Sequence, residues 1–378
     1  MISVKVVHIT SLDKENYYLN SLCDYSDRAD VEYLFINFAP HSAFAQALER
    51  RGMRVYCLNA LTRKSYPRAI FEIGKILKKE NPDIVHTHLF DPSLIGLTVA
   101  KWQKRKTVYT RHHSDAIHEL SSPLKRRFYL ALENYTSKRS DHIIAPSQMV
   151  RDYLVKREDV PGEKVSIIPY GQTTERFSAV TKEDIAAVRS ELNMDGSLAL
   201  VNVSRLFHRK GHIYLFEAFA EILKDGIDAK LYLVGDGDYR AHLEVMCAKL
   251  GISERVNFLG WRSDALAVLA ASDLVVHPSL EDALASVLIE AVMLERPIVA
   301  TDISGATDTL GGGKYGKLVE PESTEAFYLG ISEVVKNINQ YRERAREGKK
   351  FVLGYMDAKR VSDEYLSVYS RLIFGTRN

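Results

Sequence analysis

The feature that most constrains this chain is a regular alternation of short β-rich runs with helical stretches, repeated in two successive series. The first series comprises Val4 to Thr10, Val31 to Phe35, Met53 to Leu58, Asp83 to His88, Thr107 to Thr110, His142 to Ala145 and Val165 to Pro169. The second comprises Leu198 to Val203, Lys230 to Gly235, Val256 to Gly260, Leu274 to Pro278, Ile298 to Thr301 and Lys317 to Val319. Strands alternating with helices pair in parallel, and a parallel sheet needs helices over both faces. Two such series exceed one open sheet, and a closed eight-stranded barrel needs a single evenly spaced set. The alternation therefore predicts an α/β protein with two doubly wound, Rossmann-like domains. A length of 378 residues with 46% apolar side chains is enough for two cores.

The boundary is expected in Pro169-Tyr-Gly-Gln-Thr-Thr-Glu-Arg-Phe177, where a strand ends in a Pro/Gly turn before an acidic helical stretch. This divides the chain into residues 1–172 and 173–357. The closing run from Ala358 to Ile373 places Val361, Tyr365, Leu366, Tyr369 and Leu372 on one face, so residues 358–378 are expected to pack back on the amino-terminal domain. Open parallel sheets bind ligands beyond the carboxyl ends of their strands, so a ligand is expected between two such edges, held by the loops that follow strands.

Several classes of protein are disfavoured. No run reaches the roughly 18 to 20 apolar residues that a membrane span needs, and Met1-Ile-Ser-Val-Lys-Val-Val reads as a strand rather than a signal peptide. Cys23, Cys57 and Cys247 are widely separated, without Cys-x-x-Cys spacing, which suits a reducing compartment and neither a disulfide framework nor a zinc ribbon. A cytoplasmic location is expected, with no nucleic-acid partner. The net charge of +2 conceals an asymmetry: residues 1–176 carry 27 Lys/Arg against 20 Asp/Glu, a balance of +7 that leaves −5 for the remainder. Basic clusters such as Lys101-x-x-Lys104-Arg105-Lys106 and Lys125-Arg126-Arg127 are either solvated faces or a weak contact with an anionic membrane surface or phosphate-bearing acceptor.

Three loops of the second series carry chemistry. Val203-Ser-Arg-Leu-Phe-His-Arg-Lys-Gly-His212 places Arg205 and Lys210 between a strand and a helix. Two cations beside a helix amino terminus suit a diphosphate, because amides, macrodipole and side chains all favour an anion there. Leu233-Val-Gly-Asp-Gly-Asp-Tyr-Arg240 ends a strand with Gly235 and Gly237, which permit close approach of backbone to ligand. It is not the dinucleotide fingerprint, since Arg240 stands where the third glycine belongs. Pro278-Ser-Leu-Glu-Asp-Ala-Leu-Ala-Ser-Val-Leu-Ile-Glu290 presents Asp282 and, eight residues on, Glu290 within an apolar helix. A carboxylate there needs a partner, and a pair of sugar hydroxyls is one.

These motifs together resemble glycosyltransferase family 4, the group 1 glycosyltransferases, which are retaining enzymes of GT-B fold. The resemblance spans nearly the whole chain and rests on the Arg205/Lys210-Gly loop, Gly-Asp-Gly at 235–237, Val-Asn-Phe-Leu-Gly at 256–260, and Pro-Ser-Leu followed by the carboxylate pair. It implies that Arg205 and Lys210 hold the donor diphosphate, Glu290 the ribose hydroxyls, and the backbone near Gly260 and Trp261 the nucleobase. Asp282 falls on the first position of the family's Glu-x7-Glu motif, one methylene shorter, with Glu281 beside it as a substitute for contact with the donor sugar. Ala283-Leu284-Ala285 stands where the family has a Gly-x-Gly-like stretch, and the loop Ser11 to Tyr17 lacks paired glycines. In Thr110-Arg-His-His-Ser-Asp115, His112 occupies the place of a histidine that faces the donor sugar.

His86 and His88 share one strand face by period two, but a metal set made of them with His112, His113 or Asp115 is not expected, since similar Asp-Ile-Val-His-x-His strands occur in the family. The resemblance implies transfer of a hexosyl group from a nucleoside diphosphate sugar to an acceptor hydroxyl with retention, in cell-surface glycan or glycolipid synthesis. The acceptor is then a glycan or lipid-linked molecule, reached from the cytoplasm or the inner face of the membrane, with no metal or cofactor. The alternatives are a nucleotide-sugar epimerase or phosphorylase on the same plan, or a non-catalytic sugar-nucleotide binder.

Overall fold

The computed structural model describes residues 3–112, 117, 120–282 and 285–375. His113, Asp115, Ala283 and Leu284, singled out above, lie outside the described residues. The chain divides into two compact units, Met1–Thr173 with Met356–Asn378, and Thr174–Tyr355. In place of boundaries at 172/173 and 357/358, the first unit ends one residue later and resumes two residues earlier. The cause is local: Gln172 N–H donates to Met356 O at 2.7 Å, and Gln172 and Asp357 form an isolated parallel bridge.

The first unit holds a seven-stranded parallel sheet in the order β3-β2-β1-β4-β5-β6-β7. Its strands are β1 (Val4–Thr10), β2 (Val31–Asn37), β3 (Arg54–Cys57), β4 (Ile84–His88), β5 (Lys106–Thr110), β6 (His142–Ala145) and β7 (Val165–Ile167). Alternate residues of β1 enter opposite cores, as period two requires. Val4 and Val6 pack with Phe35, Tyr365 and Tyr369, whereas Val7 and Ile9 pack with Leu34, Ile73 and Leu77. The helix Ala358–Phe374 supplies Val361, Tyr365, Val368 and Tyr369 to the first of these clusters, with Leu366 and Leu372 against its edge.

The second unit holds a six-stranded parallel sheet in the order β10-β9-β8-β11-β12-β13. Its strands are β8 (Leu198–Val203), β9 (Ala229–Val234), β10 (Val256–Gly260), β11 (Leu274–His277), β12 (Ile298–Thr301) and β13 (Lys317–Val319). One face packs Leu200, Leu231, Leu233, Leu274 and Val276 against Leu215, Phe216 and Phe219 of the helix His212–Lys224. Successive strands step outward from β8 through β9 to β10, and outward the other way from β11 through β12 to β13. The point of reversal between β8 and β11 is where an open α/β sheet leaves a crevice at its carboxyl edge. Among the described residues no helix is long and apolar enough to cross a membrane.

Candidate active site

At the β8/β11 reversal the loops after the two strands meet. Leu280 N–H donates to Arg209 O at 2.8 Å, joining the loop that carries Arg205 and Lys210 to the loop that carries Asp282. Gly211, the N-cap of the helix His212–Lys224, has φ of 65°, and a Cβ there would stand 2.0 Å from Pro278 O. Only glycine allows the helix amino terminus to abut the neighbouring loop so closely. Gly235 has φ of 132° and a Cβ on it would stand 2.0 Å from Ser204 O, while one on Gly237 would stand 2.4 Å from Leu206 O. The backbone at both glycines is approached by the Arg205 loop. Gly235 N–H also donates to Gly260 O at 2.8 Å, linking the ends of β9 and β10.

Lys210 is buried, and its Nζ lies 2.8 and 2.7 Å from the two Asp282 carboxylate oxygens and 3.4 Å from Ser279 Oγ. His277, the last residue of β11, places Nε2 3.0 Å from Asp282 Oδ2. Burial alone raises the Asp282 carboxyl, but the His277 contact and the Lys210 ammonium outweigh it and hold the group well below the usual carboxylate range. Asp282 is the counter-ion of Lys210 in the structure. Arg205 is exposed, its guanidinium 4.9 Å from the centre of the Phe207 ring. Glu281 is half-buried, its carbonyl accepting from Ser279 Oγ at 3.1 Å.

Glu290 lies in the helix Ser286–Met293, and its partner is Arg176, whose Nη1 stands 3.1 Å from Oε1. Burial still pushes the Glu290 carboxyl up, against the pull of the Arg176 charge. Trp261, beside Gly260 at the end of β10, is 75% exposed. The structure therefore gathers Arg205, Lys210, Gly235, Gly237, Glu281 and Asp282 around the loops after β8, β9 and β11. Trp261 and Glu290 follow β10 and β11 in the same unit. His277 and Arg176 were missed. A polar residue ending the apolar strand Leu-Val-Val-His was the available signal for His277; none marks Arg176, because its partner is 114 residues away.

In the first unit, His112 follows β5 and its Nδ1 lies 2.5 Å from the Tyr170 hydroxyl. Burial depresses the imidazole to about 4, so the ring is neutral at physiological pH. The neighbouring Arg111 anchors this loop in the core, paired with Glu133 at 3.0 Å and Glu158 at 2.9 Å. His86 and His88 do share a strand face, where His8 of β1 joins them. His8 Nδ1 lies 2.9 Å from His88 Nε2, and His86 contacts Tyr369 and Thr110 hydroxyls, each at 2.7 Å. Candidate ligand nitrogens of the three rings lie within 4.8 Å of one another. The contacts they make are those of neutral imidazoles linked to each other and to hydroxyls.

Residues 16–176 match the family model for Glycosyltransferase Family 4 and residues 184–351 match that for Glycosyl transferases group 1. This chain belongs to that family of glycosyltransferases, and its two sheets form the GT-B fold. It is 27% identical, over 81% of its own length and 80% of the relative's, to the Escherichia coli UDP-Gal:alpha-D-GlcNAc-diphosphoundecaprenol alpha-1,3-galactosyltransferase. To the Bacillus anthracis N-acetyl-alpha-D-glucosaminyl L-malate synthase it is 26% identical, over 81% of this chain and 79% of that protein. Among solved structures, Anabaena HepE in complex with UDP superposes with a TM-score of 0.83 at 21% identity, covering 97% of this chain and 100% of the other. The protein is therefore a glycosyltransferase, a transferase enzyme.

Proposed function

We propose that the enzyme transfers a hexosyl group from a nucleoside diphosphate sugar to the hydroxyl of a glycan or lipid-linked acceptor, with retention at the anomeric carbon. The donor class is a UDP-hexose, as the name of the Escherichia coli relative states for that enzyme. The observation that carries the reading is the pair Arg205 and Lys210 at the amino terminus of the helix His212–Lys224, at the β8/β11 reversal. A helix amino terminus with its dipole, preceded by a loop that carries two cations, favours a diphosphate as its anion. Glu290 holds ribose hydroxyls beside Arg176, the backbone at Gly260 and Trp261 meets the base, and Glu281 reaches the sugar. His112, neutral, hydrogen-bonds a sugar hydroxyl.

As the bond from the anomeric carbon to the phosphate oxygen breaks, its electron pair moves to the diphosphate, where Arg205 and Lys210 stabilise the new charge. The acceptor oxygen bonds to the same face of the carbon and its proton passes to the departing phosphate oxygen. No resident metal or cofactor takes part. The enzyme acts from the cytoplasm at the inner face of the membrane, in synthesis of cell-surface glycan or glycolipid. Thermal denaturation tests the donor site: UDP raises the melting temperature well above the shift given by UMP at matched concentration, since the second phosphate reaches both cations. Equal shifts contradict it.

A further inference from the structure

The helix Pro123–Arg139 of the first unit carries a surface that donor chemistry does not use. Its fully buried side chains are polar, Glu133, Thr136 and Ser137, with Glu133 paired to Arg111, while Tyr129, Leu130 and Leu132 are half-buried. Its outward side is apolar. Leu124, Phe128 and Tyr135 are 79%, 60% and 47% exposed, and Ala131 between them is exposed as well. Steps of four, three and four residues align these side chains in one stripe along the helix, opposite the buried face. A surface helix normally turns its apolar side chains to the core, and this one leaves a second apolar stripe on its outward side.

Basic side chains border the stripe. Lys125, Arg126, Arg127, Lys138 and Arg139 are all exposed, and the Arg139 guanidinium lies 5.1 Å from the centre of the Tyr135 ring. Arg63 hydrogen-bonds the Tyr129 hydroxyl, bringing the exposed turn Arg63–Ser65, with Lys64, beside the same helix. The one acidic residue of the helix, Glu133, is buried and neutralised. A second copy of the chain seated here would set five basic residues against five. An occupant must therefore be anionic and must also accept aromatic and aliphatic side chains.

We infer that Pro123–Arg139 docks the enzyme on an anionic lipid bilayer. Leu124, Phe128, Ala131 and Tyr135 enter the headgroup boundary, and the flanking Lys and Arg side chains meet lipid phosphates. The inference rests on the reading that the enzyme works at a membrane face, and it assigns the element responsible.

Flotation of the full chain with vesicles, in the absence of donor and acceptor, tests it. Vesicles of phosphatidylcholine with phosphatidylglycerol bind the protein, phosphatidylcholine alone does not, and binding weakens as salt rises. The triple variant Lys125→Gln/Arg126→Gln/Arg127→Gln binds about 100-fold more weakly. Leu124→Gln/Phe128→Gln lowers binding by at least about tenfold at low salt. Both variants keep the wild-type melting temperature and UDP-induced shift, which separates lost docking from lost folding. Absence of binding to anionic vesicles, undiminished binding by both variants, or a dimer that the Leu124→Gln/Phe128→Gln variant converts to monomer would overturn the inference. The readout does not involve sugar transfer, so a protein that floats but transfers nothing leaves the docking surface standing and removes only the catalytic reading.

Discussion

Lys210 is the residue on which the donor site turns, because its ammonium already has a partner. Asp282 grips it through both carboxylate oxygens while His277 holds Asp282 from the other side. A diphosphate arriving at Lys210 competes with that carboxylate, so the pair lowers net positive charge in the resting site. Removing the competing charge should strengthen binding of the product-like anion. Asp282→Asn is expected to bind UDP several-fold more tightly by calorimetry and to transfer sugar more slowly, since Lys210 loses its fixed position; unchanged or weaker UDP binding contradicts the counter-ion role. Arg205 and Lys210 stand out in the sequence as candidate phosphate ligands because a strand, a basic loop and a helix start lie in one contiguous stretch. The Lys210–Asp282 pair does not, since it joins residues 72 apart whose meeting depends on which strands neighbour each other.

The strands themselves were readable from the chain. A strand buried on both faces has no polar side, so β6, β11 and β12 stand out as short, mainly apolar runs bounded by polar turns. Their order was not readable: nothing local says that β8 lies beside β11 rather than β10. The same gap hid the close loop–loop approaches at Gly211, Gly235 and Gly237. Gly211→Ala tests this at the scale of the element. The added Cβ would meet Pro278 O at 2.0 Å in a left-handed backbone conformation, so the helix His212–Lys224 and the loop after β11 must part. A loss of roughly 2 kcal/mol or more is expected in denaturant unfolding, together with weakened UDP binding. Wild-type values for both would show that the loops are not clasped there.

For the molecule as a whole, pH bears on the two units differently. Among the described residues, five histidines of the first unit are depressed by burial, His8 to about 3, His112 and His142 to about 4, and His86 and His88 well below the ordinary value, against one in the second unit, His212, at about 3. A histidine held neutral in the native state but free to protonate when unfolded stabilises the fold above the unfolded value of about 6.5. That stability is lost as pH falls from there towards the folded values, by about 1 kcal/mol per histidine over the first unit of pH. The first unit is therefore expected to open between pH 6.5 and 5, seen as hydrogen exchange rising in β1, β4 and the helix Ala358–Phe374 ahead of the second unit. Equal protection at pH 7.5 and 5 would contradict the neutral cluster.

The central claim, that Arg205 and Lys210 stabilise a departing nucleoside diphosphate, is tested most directly by the rate of UDP release from UDP-hexoses, followed by mass spectrometry with Arg205→Ala and Lys210→Ala beside the wild type. The account predicts that the wild-type enzyme releases UDP, and that each substitution slows release by about 100-fold or more, the scale of one lost stabiliser of a developing anion. Release at near wild-type rates in both variants would contradict it.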